Sequence, residues 1–248
     1  MGLLSTLLVL LQLSLGTVYA QVGPYRIQEG GVANTVSLGG VAFGLGERAS
    51  ARTTLLLAAD LVDLNEEGVQ PAWDRIAVRQ GSRPYAGLSA WVSNVASYGS
   101  VFGPAALYID ADVRRSGGEV AALFGQATVL NAGITNLIKN TVARRRPYVR
   151  SGEQPEAFRL QRDGQRSFFS GHTSNAATNA FLAAAVYRDF HPQDRRGRTV
   201  VWASAITLPL ITGIARVMAG VHYPSDVIVG YLVGAGIGLL VPELHRRF

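Results

Sequence analysis

Between residues 84 and 242 the chain is divided into five stretches that carry no Asp, Glu, Lys or Arg, and this division leaves few folds open. The stretches run Pro84 to Ile109, Val120 to Ile138, Ser167 to Tyr187, Thr199 to Ala215 and Val227 to Pro242. Each is long enough for a helix, and charges are confined to the connections. The expectation is an all-α fold, a helical bundle of five to six main helices running up and down through the connections. A spanning helix needs about 20 mostly apolar residues. The last two stretches have 17 and 16, and the others carry Ser, Thr, Asn and Gln. Small residues suit closely packed membrane helices, although Ala- and Gly-rich helices also fill soluble bundles. With only 16% charged residues and a mean hydropathy of +0.18, the bundle is expected to be membrane-embedded.

The segment before residue 84 has a different character. Residues 1–20, "MGLLSTLLVLLQLSLGTVYA", form an apolar run ending in Val18-Tyr19-Ala20, a small-residue export cleavage pattern. They read as a signal peptide or, if uncleaved, a signal anchor, because no Lys or Arg precedes the apolar core. Gln21 follows where a lipoprotein would need Cys. Residues 21–83 read as an irregular, Gly-rich, charged segment with short helices expected at 34–45 and 53–64. The chain has no cysteine, so neither a disulfide nor a Cys-ligated metal is available to it.

Net charge is +6, which suits acidic partners such as phosphates or anionic headgroups. Nucleic-acid binding has no support beyond that charge. The basic residues comprise 22 arginines and a single lysine, Lys139. Lys139 opens "KNTVARRRP", in which Arg146 follows seven residues later, about two turns along one helix face before Pro147 stops the helix. "SFFSGHTSNAATNA" starts a helix on Ser170, a good N-cap, with Gly171 allowing close backbone approach and His172 in the first turn. Such an end binds anions through free amides and the helix dipole. In "RVMAGVHYPSD", Arg216 ends one apolar helix, His222 lies in the turn, and Pro224 opens the next helix near Asp226. The His-x-x-x-Asp spacing lets the carboxylate hold one imidazole nitrogen and leaves the other as a nucleophile. Arg144, Arg145, Arg150, Arg159, Arg162 and Arg166 read as a solvated basic loop.

In an up-and-down bundle these three clusters fall at one end. Lys139, Arg146, Ser170, Gly171, His172, Arg216, His222 and Asp226 would then share one face. Three cations and several amides suit a tetrahedral oxyanion, and two histidines can divide nucleophile and acid roles. That is a phosphoryl-transfer site with no metal or other cofactor.

These motifs resemble those of the type 2 phosphatidic acid phosphatase superfamily, whose signature is Lys-x6-Arg-Pro, Pro-Ser-Gly-His and Ser-Arg-x5-His-x3-Asp. The resemblance covers residues 84–242, with two departures: Phe169 stands at the motif's proline and Ala215 at its serine. It implies a helical phosphatase domain over 84–248 and a covalent mechanism. His222 would attack phosphorus to give a phosphohistidine, with Asp226 orienting it and His172 protonating the leaving oxygen. Lys139, Arg146 and Arg216, with the amides around Ser170 and Gly171, would hold the phosphoryl oxygens. The implied substrate is a phosphorylated lipid or a small phosphate ester.

The expected setting is the inner membrane, with the site on the outer, periplasmic or extracellular, face. Arg114, Arg115, Arg188, Arg195, Arg196, Arg198, Arg246 and Arg247 would then lie inside, as the positive-inside tendency asks, while the basic loop 139–166 opposes it. The alternatives are a soluble exported acid phosphatase of the same superfamily, a vanadium haloperoxidase and a non-catalytic anion-binding membrane protein.

Overall fold

The structure is a computed structural model in which residues 23–58, 61, 71–80, 86–151 and 154–247 are described. The expected signal segment and residues 59, 60 and 62–64 of the expected 53–64 helix lie outside them. Six long helices organise the described chain: α1 (Glu29–Arg52), α2 (Ala86–Phe102), α3 (Gly117–Val142), α4 (Gly171–Phe190), α5 (Arg195–Met218) and α6 (Pro224–Glu243). Short helical turns occupy the connections. The fold is an all-α bundle, as the uncharged stretches require.

α4 is the central helix and packs against α2, α3, α5 and α6. Its residues are small enough to be enclosed on nearly every side: Thr173, Ser174, Ala176, Ala177, Thr178 and Asn179 are all buried. A helix with no polar stripe turned to solvent belongs inside a bundle. The contact with α6 is closest, because glycines recur along α6 at every fourth residue. A Cβ on Gly230 would sit 2.6 Å from the Ser170 carbonyl oxygen, on Gly234 2.2 Å from that of Ser174, and on Gly238 2.5 Å from that of Thr178. Side chains larger than hydrogen would push the two backbones apart.

α1 is twice as long as the helix expected at 34–45. Thr35, Gly39, Ala42, Gly46 and Ser50 form one buried stripe along it, spaced by three or four residues, and this stripe packs on α3. Glu29 in the first turn and Arg52 in the last oppose the helix dipole favourably. Residues 53–57, where a second short helix was expected, are irregular.

At the end of the bundle remote from Lys139, the segment that precedes α1 meets the segment that follows α6. Tyr25 pairs with Arg246 in an isolated antiparallel bridge, and the Tyr25 hydroxyl donates to Asp189 at 2.7 Å. Val120, Leu123, Leu182, Val186, Ile237 and Val241 pack beneath them as the main core. The segments Gly117–Ser151, Arg195–Met218 and Pro224–Glu243 are long and apolar enough to cross a membrane. Much of their apolar surface faces outward: Val200, Ile206, Leu210, Ile211, Ile214, Ile228, Leu232 and Leu240 are all exposed. Exposed apolar side chains in such number suit lipid better than water.

The α4–α6 contact can be tested within one helix. Gly234→Ala forces a methyl into the Ser174 carbonyl, whereas Gly236→Ala meets nothing within 4 Å. The first is expected to destabilise by about 1–3 kcal/mol and the second to be neutral or stabilising by up to about 1 kcal/mol, read from thermal unfolding in detergent.

Candidate active site

The three sequence clusters meet at one end of the bundle. Ser170 is the N-cap of α4, with its side chain accepting from the Thr173 amide at 3.4 Å. Its own N–H donates to the Asp226 carbonyl at 3.0 Å, which ties the start of α4 to the first turn of α6. A Cβ on Gly171 would meet Thr135 Cγ2 at 3.2 Å and Lys139 Cε at 3.5 Å. The lysine stem therefore runs beside the start of α4, and Lys139 Nζ donates to the Arg166 carbonyl at 2.6 Å. A groove of about 330 Å³, lined by Phe43, Thr128, Asn131, Thr135 and Gly171 among others, opens onto Lys139.

Arg146 reaches the site by a different route from the one expected. α3 stops at Val142, where Ala143 turns left-handed (φ 48) and its N–H closes on the Lys139 carbonyl. Lys139 and Arg146 are thus not two turns apart on one helix face. Pro147 does not stop α3 but opens the separate short helix Pro147–Ser151. The guanidinium is buried, with Nε donating to the Asp163 carbonyl at 2.8 Å, Nη2 to the Asp163 carboxylate at 2.9 Å and Nη1 to the Val221 carbonyl at 3.3 Å. The last contact joins it to the His222 turn. Arg216, also buried, comes from the last turn of α5 and donates to Ser93 Oγ at 3.2 Å and Asn94 Oδ1 at 3.3 Å on α2.

His222 and Asp226 are both buried, as sequence spacing suggested they would be paired. His222 Nδ1 lies 3.4 Å from Asp226 Oδ2. Pro224 is the first residue of α6, and Asp226 accepts the Tyr223 backbone N–H at 3.0 Å, completing a capping box. Two further donors reach this carboxylate. Ser167 Oγ donates to Oδ2 at 2.5 Å, and Arg144 Nη1 to Oδ1 at 2.5 Å. Ser167 and Arg144 were not among the expected site residues, since neither the spacing of Ser167 nor a run of three arginines marks one member.

The basic loop is only partly solvated: Arg162 is exposed, but four of its arginines are engaged within the protein. Arg144 is salt-bridged to Asp74 and Asp226. Arg159 donates twice to the Val149 carbonyl, Arg162 to Ser50 Oγ and Arg166 to Asn136 Oδ1. Each has found an acceptor that lies far away in sequence or on a helix end. Phe169, at the motif's proline, is buried edge-on to Phe168, and Ala215 is buried within α5.

The electrostatics follow from this convergence. Burial, and then the positive Arg146, Lys139 and Arg216 with His172 beside them, hold the His222 imidazole well below histidine's ordinary value. Burial, then Arg216, Arg146 and Lys139, push His172 down to about 3. Three basic side chains thus lie close enough to act on two depressed imidazoles, an arrangement suited to receiving an anion of multiple charge.

The family model of the PAP2 superfamily matches residues 120–248, just over half of the chain. The chain belongs to the PAP2 superfamily. It is 31% identical over 125 residues to a decaprenylphosphoryl-5-phosphoribose phosphatase of Mycobacterium tuberculosis, across 48% of this chain and 58% of that one. It is 38% identical over 123 residues to a lipid A 1-phosphatase of Rhizobium johnstonii, across 48% of this chain and 46% of that one. The chain spans about half the length of these curated relatives. Its fold is similar to that of the transmembrane PAP2 type phosphatidylglycerolphosphate phosphatase from Bacillus subtilis. The TM-score is 0.53 at 23% identity, over 85% of this chain and 94% of the other.

The two depressed histidines make stability depend on acid. Both take a proton more readily in the unfolded chain, near about pH 6.5, than in the folded one, so the stability they leave intact at neutral pH is lost as pH falls below that value. For His172 the window runs down to about 3. The unfolding midpoint in detergent is expected to drop between about pH 6.5 and 5, and His172→Asn to lessen that drop.

Proposed function

We propose that this PAP2 protein is a membrane phosphatase that hydrolyses a phosphate ester or diphosphate of a lipid through a phosphohistidine, with no metal ion required. The observation that carries the reading is the convergence of Lys139, Arg146 and Arg216 on a buried His222 whose Nδ1 faces Asp226. The names of the relatives, which act on lipid-linked phosphates, and the apolar exterior of the bundle favour a lipid substrate over a soluble ester.

The chemistry proceeds from residue properties. With its Nδ1 proton on Asp226, neutral His222 presents Nε2 to phosphorus and displaces the leaving oxygen, forming a P–N bond as the P–O bond breaks. The three cations and the amides at the start of α4 hold the phosphoryl oxygens as charge shifts onto them. His172 cannot donate a proton while three cations hold it neutral. A bound phosphate dianion offsets that field, so the imidazole gains its proton along with the substrate and passes it to the departing oxygen. Neutral again, His172 takes a proton from the water that cleaves the P–N bond, and inorganic phosphate leaves.

We place the site on the outer face of the inner membrane. The basic residues at the site end have engagements there: Arg144 with Asp74 and Asp226, Arg146 with Asp163. The opposite end carries Arg195, Arg196 and Arg198 in the first turn of α5, the end that the positive-inside tendency assigns to the interior.

Purified protein in detergent with chelator present is expected to release phosphate from a short-chain phosphatidate in preference to a soluble phosphomonoester. His222→Ala should reduce release to background, and His172→Ala should lower kcat by about 10²–10⁴-fold. Release that survives His222→Ala would overturn the covalent mechanism; preference for the soluble ester would favour an exported acid phosphatase.

A further inference from the structure

The carboxylate that faces His222 is itself held by a second carboxylate through an arginine. Arg144 forks between two acids, with Nη1 on Asp226 Oδ1 at 2.5 Å and Nη2 on Asp74 Oδ2 at 2.7 Å. Asp74 ends the short turn Ala72–Asp74 and is fully buried. It accepts the Ser225 backbone N–H at 3.0 Å on Oδ1 and the Ser225 hydroxyl at 2.7 Å on Oδ2. Ser225 Oγ in turn receives Arg144 Nη1 at 2.7 Å. The guanidinium lies 4.0 Å over the centre of the Tyr223 ring, which is also buried.

Charge explains why the arginine has two acids. A guanidinium resting on Asp226 alone would compete, with its whole charge, for the carboxylate that must attract the imidazole N–H. Asp74 takes the other half of the fork and divides that charge. Without Arg144, two buried carboxylates would face the first turn of one helix with no cation between them, an unfavourable arrangement. The planar fork also fixes the plane of the Asp226 carboxylate, while Ser167 and the Tyr223 amide fix its other oxygen. The carboxylate is oriented before any substrate arrives.

We propose that Asp74 and Arg144 are positioning residues for phosphoryl transfer, locking Asp226 and through it the His222 imidazole in the attacking orientation. The proposal rests on the reading of His222 given above. Asp74 lies outside residues 120–248 matched by the family model, so this clamp couples the N-terminal segment of the chain to the family's site.

The test uses the full chain and a short-chain phosphatidate in detergent micelles, measuring kcat, KM and inhibition by inorganic phosphate. Asp74→Asn and Arg144→Met should lower kcat on the order of 10- to 100-fold, the cost of a misoriented reacting group. KM and phosphate inhibition should stay within about twofold, because Lys139, Arg146 and Arg216 are untouched. In an Asp226→Asn background the Asp74→Asn loss should shrink to less than about threefold, since residues that act through one another are not additive. Arg144→Lys keeps the charge without the fork and should fall between Arg144→Met and the parent; it carries the same comparison if Asp74→Asn fails to fold.

A raised KM at unchanged kcat, or a loss that multiplies in full on top of Asp226→Asn, would overturn the proposal. If His222→Ala retained full activity, the reading of the site would fail with it. If His222 were required and the two aspartate losses multiplied, only the clamp would fail.

Discussion

The close approach of α4 and α6 is the contact on which the rest of the structure depends. Three glycines of α6 let its backbone ride on the carbonyls of Ser170, Ser174 and Thr178. That contact sets the Ser170 amide on the Asp226 carbonyl and so aligns the N-terminus of one helix with the His-Asp turn at the start of the other. A wider spacing would leave both ends capped and separate, because a helix N-terminus offers its free amides only within a few ångströms. Packing and site geometry are here the same constraint.

Gathering so much positive charge in a buried space requires an answer, and the structure supplies two kinds. Lys139 and Arg146 are held by carbonyls and by Asp163, and Arg144 by two buried carboxylates. The other response lies in the histidines, which stay neutral beside the cations. On the proposed reading a phosphoryl group completes the balance: it would bring negative charge to the cations and allow one imidazole to become an acid. An unliganded site that is under-neutralised in this way favours the anion more strongly than one with its own counter-charges already in place.

Much of this was legible in the sequence, for specific reasons. The helices were legible because charged residues are costly on faces that meet lipid or core, so the uncharged stretches outline them. The local features of the candidate site were legible because capping and pairing depend on short spacings: Ser170 before Gly171 caps a helix, and His222 four residues before Asp226 places both at one helix start. Arg146 was legible as a residue but not in its placement. The left-handed turn at Ala143 breaks the helix three residues before it, and nothing in "TVARRR" signals where the last turn closes. Arg144 and Asp74 were not legible at all. One is the first of three like residues, and the other stands 70 residues away in a segment with no repeating pattern.

The sequence by itself determined an all-α bundle, the ends at which its polar clusters lie, and the chemical types assembled there, because helix periodicity and capping act over a few residues. Only the tertiary structure decided which cation meets which acid, how the α6 glycines bring two helix starts together, and that a buried aspartate from the N-terminal segment braces Asp226. These depend on distances between segments remote in the chain, and such distances are fixed by packing rather than by local spacing.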